Sequence, residues 1–96
     1  MIHFIQNPTT TKEYSNNIDV SLTLEESLEL LSKHSLIALD TETTGLNVFT
    51  SELLMLQLGV ENGDQFVFDM RNTSMERFRS LLEDKSKTFL GHNIKF

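Results

Sequence analysis

Leu36–Leu46 reads LIALDTETTGL. Four apolar residues, Leu36 to Leu39, run into Asp40, and Glu42 follows two positions later. A continuous apolar run is the signature of a strand buried on both faces, so Leu36–Asp40 is expected to be such a strand. Buried strands ordinarily end in a turn residue, whereas this one ends in two acids flanking a threonine. On an extended backbone, residues two apart point to the same face, with Cα atoms about 6.6 Å apart. Two carboxylates placed that way can share a cluster of metal ions. They stand just past the carboxyl end of a strand, where ligands bind in open α/β sheets. Hard oxygen ligands suit Mg²⁺ or Mn²⁺. Two such ions roughly 3.5–4 Å apart can stabilise the attacking and leaving oxygens of an in-line phosphoryl displacement. A random Asp-x-Glu is more often a polar strand exit. The apolar strand before this pair favours a site, as do Thr43, Thr44, Gly45 and the apolar Leu46 after it.

Outward from this stretch, the pattern predicts alternating helices and strands. Upstream, Thr23 and Glu26 match a capping box for a helix over Leu24–Lys33, with Leu24, Leu28 and Leu31 on one face. Downstream, Leu53–Val60 reads as a strand, Asn62-Gly63 as a tight type I′ turn, and Gln65–Asp69 as the antiparallel partner. Thr73 and Glu76 match a second capping box, opening a helix whose core residues are Met75, Phe78, Leu81 and Leu82. Thr88–Leu90 reads as a short strand, Gly91 to Asn93 as a turn, and Asn93 as the cap of a helix starting at Ile94. Ile2–Ile5 and Ile18–Val20 read as short strands around a polar loop that holds Pro8. The fold class is α/β with a mixed sheet and flanking helices.

With 96 residues, the chain suits one small domain. Apolar content of 39% is that of a globular protein. The chain has no cysteine, which excludes disulfides and thiolate metal sites. No apolar run reaches the ~18 residues of a membrane span, so a soluble, cytoplasmic protein with no membrane partner is expected. Net charge is −6, from 8 basic and 14 acidic residues. That argues against general nucleic-acid binding, but a site for divalent metals must itself be acidic. Phe66, Phe68, Phe78 and Phe89 fit core positions, and the scattered Lys and Arg residues fit a solvated surface.

DTETTGL at Asp40–Leu46 resembles the first motif of the DEDD superfamily of 3′–5′ exonucleases, which have a ribonuclease H-like fold. The resemblance implies that Asp40 and Glu42 ligate the two catalytic metals, Mg²⁺ or Mn²⁺. It implies that Thr43 contacts the terminal nucleotide and that Leu46 wedges against the 3′-terminal base. GHNIKF at Gly91–Phe96 is similar to the start of the family's second motif, with Asn93 at the substrate-contacting asparagine. His92 is read as positioning the turn or touching substrate, not as catalytic. LLMLQLGV followed by FVFDMRN resembles the second and third strands of proofreading domains in family A DNA polymerases and of ribonuclease D-like enzymes.

The sequence departs from the family at its end. The aspartate expected after Phe96 is not in the sequence, and neither is a third motif of the Tyr or His type; Tyr14, the one tyrosine, lies in the N-terminal loop. Residues 1–21 are therefore read as an N-terminal strand and polar loop, and 22–96 as the N-terminal part of an exonuclease domain, cut at the start of a helix. The expected activity is metal-dependent removal of nucleotides from a single-stranded DNA 3′ end in a bacterial or phage-infected cell, with this piece inactive alone. Pairing with the missing C-terminal part, or self-association through an exposed sheet, is expected. RNA as the substrate is the first alternative. A non-catalytic nucleic-acid-binding or assembly module is the second.

Overall fold

Burial along the strand that carries the acidic pair sets the layers of the molecule. Ile37, Leu39 and Thr41 are 0%, 5% and 8% exposed, while Ala38 and Glu42 are exposed and Leu36 and Asp40 half-buried. This corrects the expectation of a strand buried on both faces. Among the described residues both helices lie on one side of the sheet, so a run of four apolar residues alternates in environment although it does not alternate in sequence.

The computed structural model describes residues 1–6, 18–43 and 53–92, with the backbone alone for Thr43, Leu53 and His92. In chain order the elements are β1 (Ile2–Ile5), β2 (Ile18–Asp19), α1 (Leu24–Ser32), β3 (Leu36–Thr43), β4 (Leu53–Val60) and β5 (Gln65–Asp69). A 3₁₀ turn over Met75–Phe78 then leads into α2 (Arg79–Leu82), and β6 (Thr88–His92) follows. The six strands form one sheet in the order β2-β1-β5-β4-β3-β6. β1 is parallel to β2 and β5, β4 is antiparallel to β5 and β3, and β6 is parallel to β3. The sheet is mixed, as expected, and β1 and β2 belong to it.

One cluster joins the helices to the sheet: Leu24 and Leu31 of α1 and Phe78 and Leu81 of the second helical segment pack with Ile37, Leu39, Leu56, Leu58, Phe66 and Phe68. Each such side chain, fully buried, contributes roughly 1.5–3 kcal/mol. The leucine stripe and the four phenylalanines take the expected places, Phe89 at the margin.

Local chemistry explains how the elements begin and end. Thr23 Oγ1 accepts the Glu26 N–H at 3.1 Å, and the Thr23 N–H donates to Glu26 Oε1 at 3.1 Å, so the first capping box is formed. The last turn of α1 has no basic residue of its own. Lys87 reaches across instead and donates from Nζ to the carbonyls of Ser32 and His34 at 2.6 and 2.7 Å. The second helix departs from expectation. Ser74, not Thr73, caps it by accepting the Glu76 N–H at 3.2 Å, and the tighter 3₁₀ turn precedes α2. The short Ser-x-Glu spacing suits a three-residue turn.

The β4–β5 connection is also longer than a two-residue turn. Gly63 N–H donates to Val60 O and Val60 N–H to Asp64 O, both at 3.0 Å. Glu61 and Asn62 are therefore central, and Gly63 follows with φ 92°, the arrangement of three-residue hairpins. The Asn62 side chain accepts the Asp64 N–H at 2.9 Å and stabilises this loop over the tighter one. At the end of the described chain, Gly91 and His92 continue β6 instead of turning, because the parallel ladder to β3 extends to the Asp40–His92 position. The helix expected from Ile94 lies outside the described residues.

Candidate active site on the open face of the sheet

The strand register brings the candidate acids to the side of the sheet that the helices leave uncovered. Asp40 lies between β4 and β6, facing Gln57 on one side and His92 on the other. Its Oδ1 accepts the N–H of Thr41 at 2.9 Å, which restrains the carboxylate against its own backbone. Thr41 turns into the core, and Glu42 returns to the open face with its side chain exposed. Between Glu42 and Thr43 the pairing with β4 shifts by one residue, so the ladder becomes irregular just past the acids. Such irregularities re-aim side chains at strand ends.

Asp40 also lines a depression of about 360 Å³ on this face, with Ala38, Gln57, Gly59, Gln65 and Leu90 among its walls. Among the described residues, no Lys or Arg lines it. Leu90 is 58% exposed at its rim. A second hollow, of about 420 Å³, lies in the helix layer. Its two cations are already engaged, Arg77 with Glu25 and Lys87 with two carbonyls. The first depression is therefore the better candidate, since it holds the unusual acid.

Asp40 and Glu42 supply hard oxygen donors two residues apart on one sheet face, the donor type that Mg²⁺ and Mn²⁺ take. Among the described residues, no third acidic or histidine side chain joins them to complete a metal-binding group. The pair fits part of a divalent-metal ligand set. Of the other candidate residues, Thr43 and His92 are placed by their backbone in β3 and β6. Leu46 and Asn93 lie outside the described residues. Sequence reading passed over Gln57, although its signal was legible: it is the one polar side chain in the strand LLMLQLGV.

Residues 16–96 match the 3′–5′ exonuclease family. DNA polymerase I of Borreliella burgdorferi is 26% identical over 113 residues, an alignment covering 97% of this chain and 12% of that protein. The chain thus spans about an eighth of the length of that relative. Among solved structures, NrnC of Brucella melitensis superposes with a TM-score of 0.64 at 24% identity, over 96% of this chain and 38% of NrnC. RNase D of Escherichia coli superposes with a TM-score of 0.59 at 25% identity, over 70% of this chain and 18% of RNase D. The sheet and its helices have the ribonuclease H-like fold of these exonucleases. With residues 16–96 matched and the acidic motif at the end of β3, the chain belongs to the 3′–5′ exonuclease family.

Proposed function

We propose that this protein takes part in proofreading-type removal of nucleotides from DNA 3′ ends by phosphodiester hydrolysis, with Asp40 and Glu42 as ligands of Mg²⁺ or Mn²⁺. The observation that carries this reading is the pair of carboxylates at the end of β3, on the open face of the sheet in a chain of the 3′–5′ exonuclease family. Divalent ions bound there supply charge neutralisation at the phosphate and lower the pKa of a bound water. The chain's own part is to hold the ligands. Asp40 is braced by the Thr41 N–H, and β3 is anchored through the buried side chains of Ile37, Leu39 and Thr41. A strand fixed on its reverse side keeps ligand geometry better than a loop does. Thr43 is assigned to the terminal nucleotide, Leu46 to its base, Asn93 to substrate contact, and His92 to positioning the turn or touching substrate.

Among the described residues two carboxylates are assigned to the ligand set, so turnover calls for further acidic ligands from more of the domain or from a second subunit. The open sheet face and the β6 edge are the surfaces on which either would pair. RNA is the alternative substrate, and a specific likeness favours it. RNase D of Escherichia coli is an exoribonuclease involved in structured RNA processing, and NrnC of Brucella melitensis has been solved bound to pGG and with Mg²⁺.

The deciding experiment incubates labelled single-stranded DNA and RNA oligonucleotides of one sequence with the protein and Mn²⁺, beside Asp40→Ala. Stepwise 3′ shortening of DNA that the variant lacks supports the proposal. Preference for RNA moves it to the alternative. If neither is shortened even when the remaining acidic ligands are supplied by the rest of an exonuclease domain, yet both bind dependent on Asp40, the chain is a binding module.

A further inference from the structure

Gln57 occupies the position directly across the antiparallel ladder from Asp40. Facing residues on such a pair have Cβ atoms about 4.5–5.5 Å apart, within reach of a glutamine side chain. Both residues line the same depression. Leu56 and Leu58, on either side of Gln57, are fully buried beneath the helices, while Gln57 is half-buried on the opposite face. Every other side chain of β4 is apolar or absent, so an amide here forgoes the packing that the rest of the strand supplies.

The surroundings narrow what that amide can serve. The flanking positions of β4 on the open face are Met55, across from Glu42, and Gly59, across from Ala38; neither offers a donor. The facing residue on β5 is Val67. Asp40 Oδ1 already takes the Thr41 N–H, but an ionised carboxylate has about four acceptor sites. A neutral donor can therefore orient Asp40 further without adding a positive charge that would repel a cation. Lysine or arginine in its place would neutralise the carboxylate instead.

We propose that Gln57 is the positioning residue for Asp40, its carboxamide donating to the carboxylate and holding it in the orientation that receives a divalent metal. This rests on the proposed role of Asp40 as a metal ligand. Groups that orient a ligating side chain are commonly worth about 10–100-fold in metal affinity.

The test uses the 96-residue chain, Mn²⁺ alone as probe, and paramagnetic broadening of the β3 amide resonances, compared among wild type, Asp40→Asn and Gln57→Met. Methionine keeps the length and approximate volume of glutamine and lacks the amide; a melting temperature at or above that of wild type verifies its fold. The expected result is broadening lost in Asp40→Asn and shifted roughly tenfold higher in Mn²⁺ by Gln57→Met. In the metal-free protein, Asp40→Asn should also move the Gln57 side-chain NH₂ resonances. Broadening lost in Asp40→Asn but unchanged in Gln57→Met overturns the role of Gln57 and leaves the metal site standing. Absence of Asp40-dependent broadening in the wild type overturns the metal site and the role of Gln57 with it.

Discussion

His3 on β1 and Asp19 on β2 are joined side chain to side chain, Nδ1 to Oδ2 at 2.8 Å, and His3 also stacks on Phe66 with ring centroids 4.9 Å apart. This contact ties the edge strand through β1 to the core. The Ser21 hydroxyl and backbone, together with His3, hold the Asp19 carboxyl below the ordinary value of 3.8. A carboxyl whose folded pKa is depressed contributes stability that is present above 3.8 and is lost as pH falls through the lower folded value. Asp69, held down mainly by Arg71, adds to the same slope. Thermal melts taken from neutral pH down through this range should therefore show falling stability. Asp19→Asn should flatten the slope, and an unchanged slope in that variant would count against the contact.

Phe68 and Phe78 meet edge to face with centroids 4.8 Å apart, both essentially excluded from solvent. This pair welds the second helical segment to the sheet. Phe78→Ala should cost about 3–5 kcal/mol, a large share of the total stability of a domain this small. Urea denaturation would register it as a lower midpoint or as loss of the folded baseline.

The two ends of α1 are secured by different means, and their variants should differ accordingly. Thr23→Ala removes the capping box and should cost about 1 kcal/mol. Lys87→Met removes a charged donor from two carbonyls and should cost about 1–2 kcal/mol. Since Lys87 acts between elements, amide hydrogen exchange should rise at Ser35 and Leu36 as well as at the helix end in Lys87→Met, and only at the helix start in Thr23→Ala.

Gly59 lines the depression, and among the described residues a methyl added there would meet only Gln65 Cγ at 3.9 Å and Ala38 Cβ at 4.0 Å, ordinary contact distances. Gly59→Ala should fold and gain about 0.5–1 kcal/mol from reduced backbone entropy. A lower melting temperature would show that the open face is more tightly packed than these distances describe.

Glu42 is exposed on the face it shares with Asp40. Glu42→Gln should leave the melting temperature unchanged or slightly raised, since it relieves repulsion between two carboxylates and removes no packing. In a nuclease assay with the further acidic ligands supplied, it should abolish shortening, as should EDTA. Retained activity in Glu42→Gln would remove Glu42 from the metal site.

Much of this was legible in the residues. The first capping box, the leucine stripe of α1, the β4–β5 pairing and the Asp40–Glu42 face follow from short-range spacing, where a side chain and its partner are a few positions apart. The start of the second helix and the β4–β5 loop were misplaced by a residue or two, because Ser74 and Asn62 offered local hydrogen bonds that compete with the expected ones. Gln57 was overlooked for a different reason: its meaning depends on the residue facing it, 17 positions away in the chain.

By itself the sequence determined the type of each main element, the placement of two carboxylates on one face of a strand end, and the family motif they form. Those depend on local backbone periodicity and side-chain chemistry. Tertiary structure decided which face of β3 is covered, that β6 lies parallel beside it, and that Gln57 and the backbone of His92 flank Asp40. These follow from strand order and register, which are set by how distant segments jointly bury their apolar faces against the two helices.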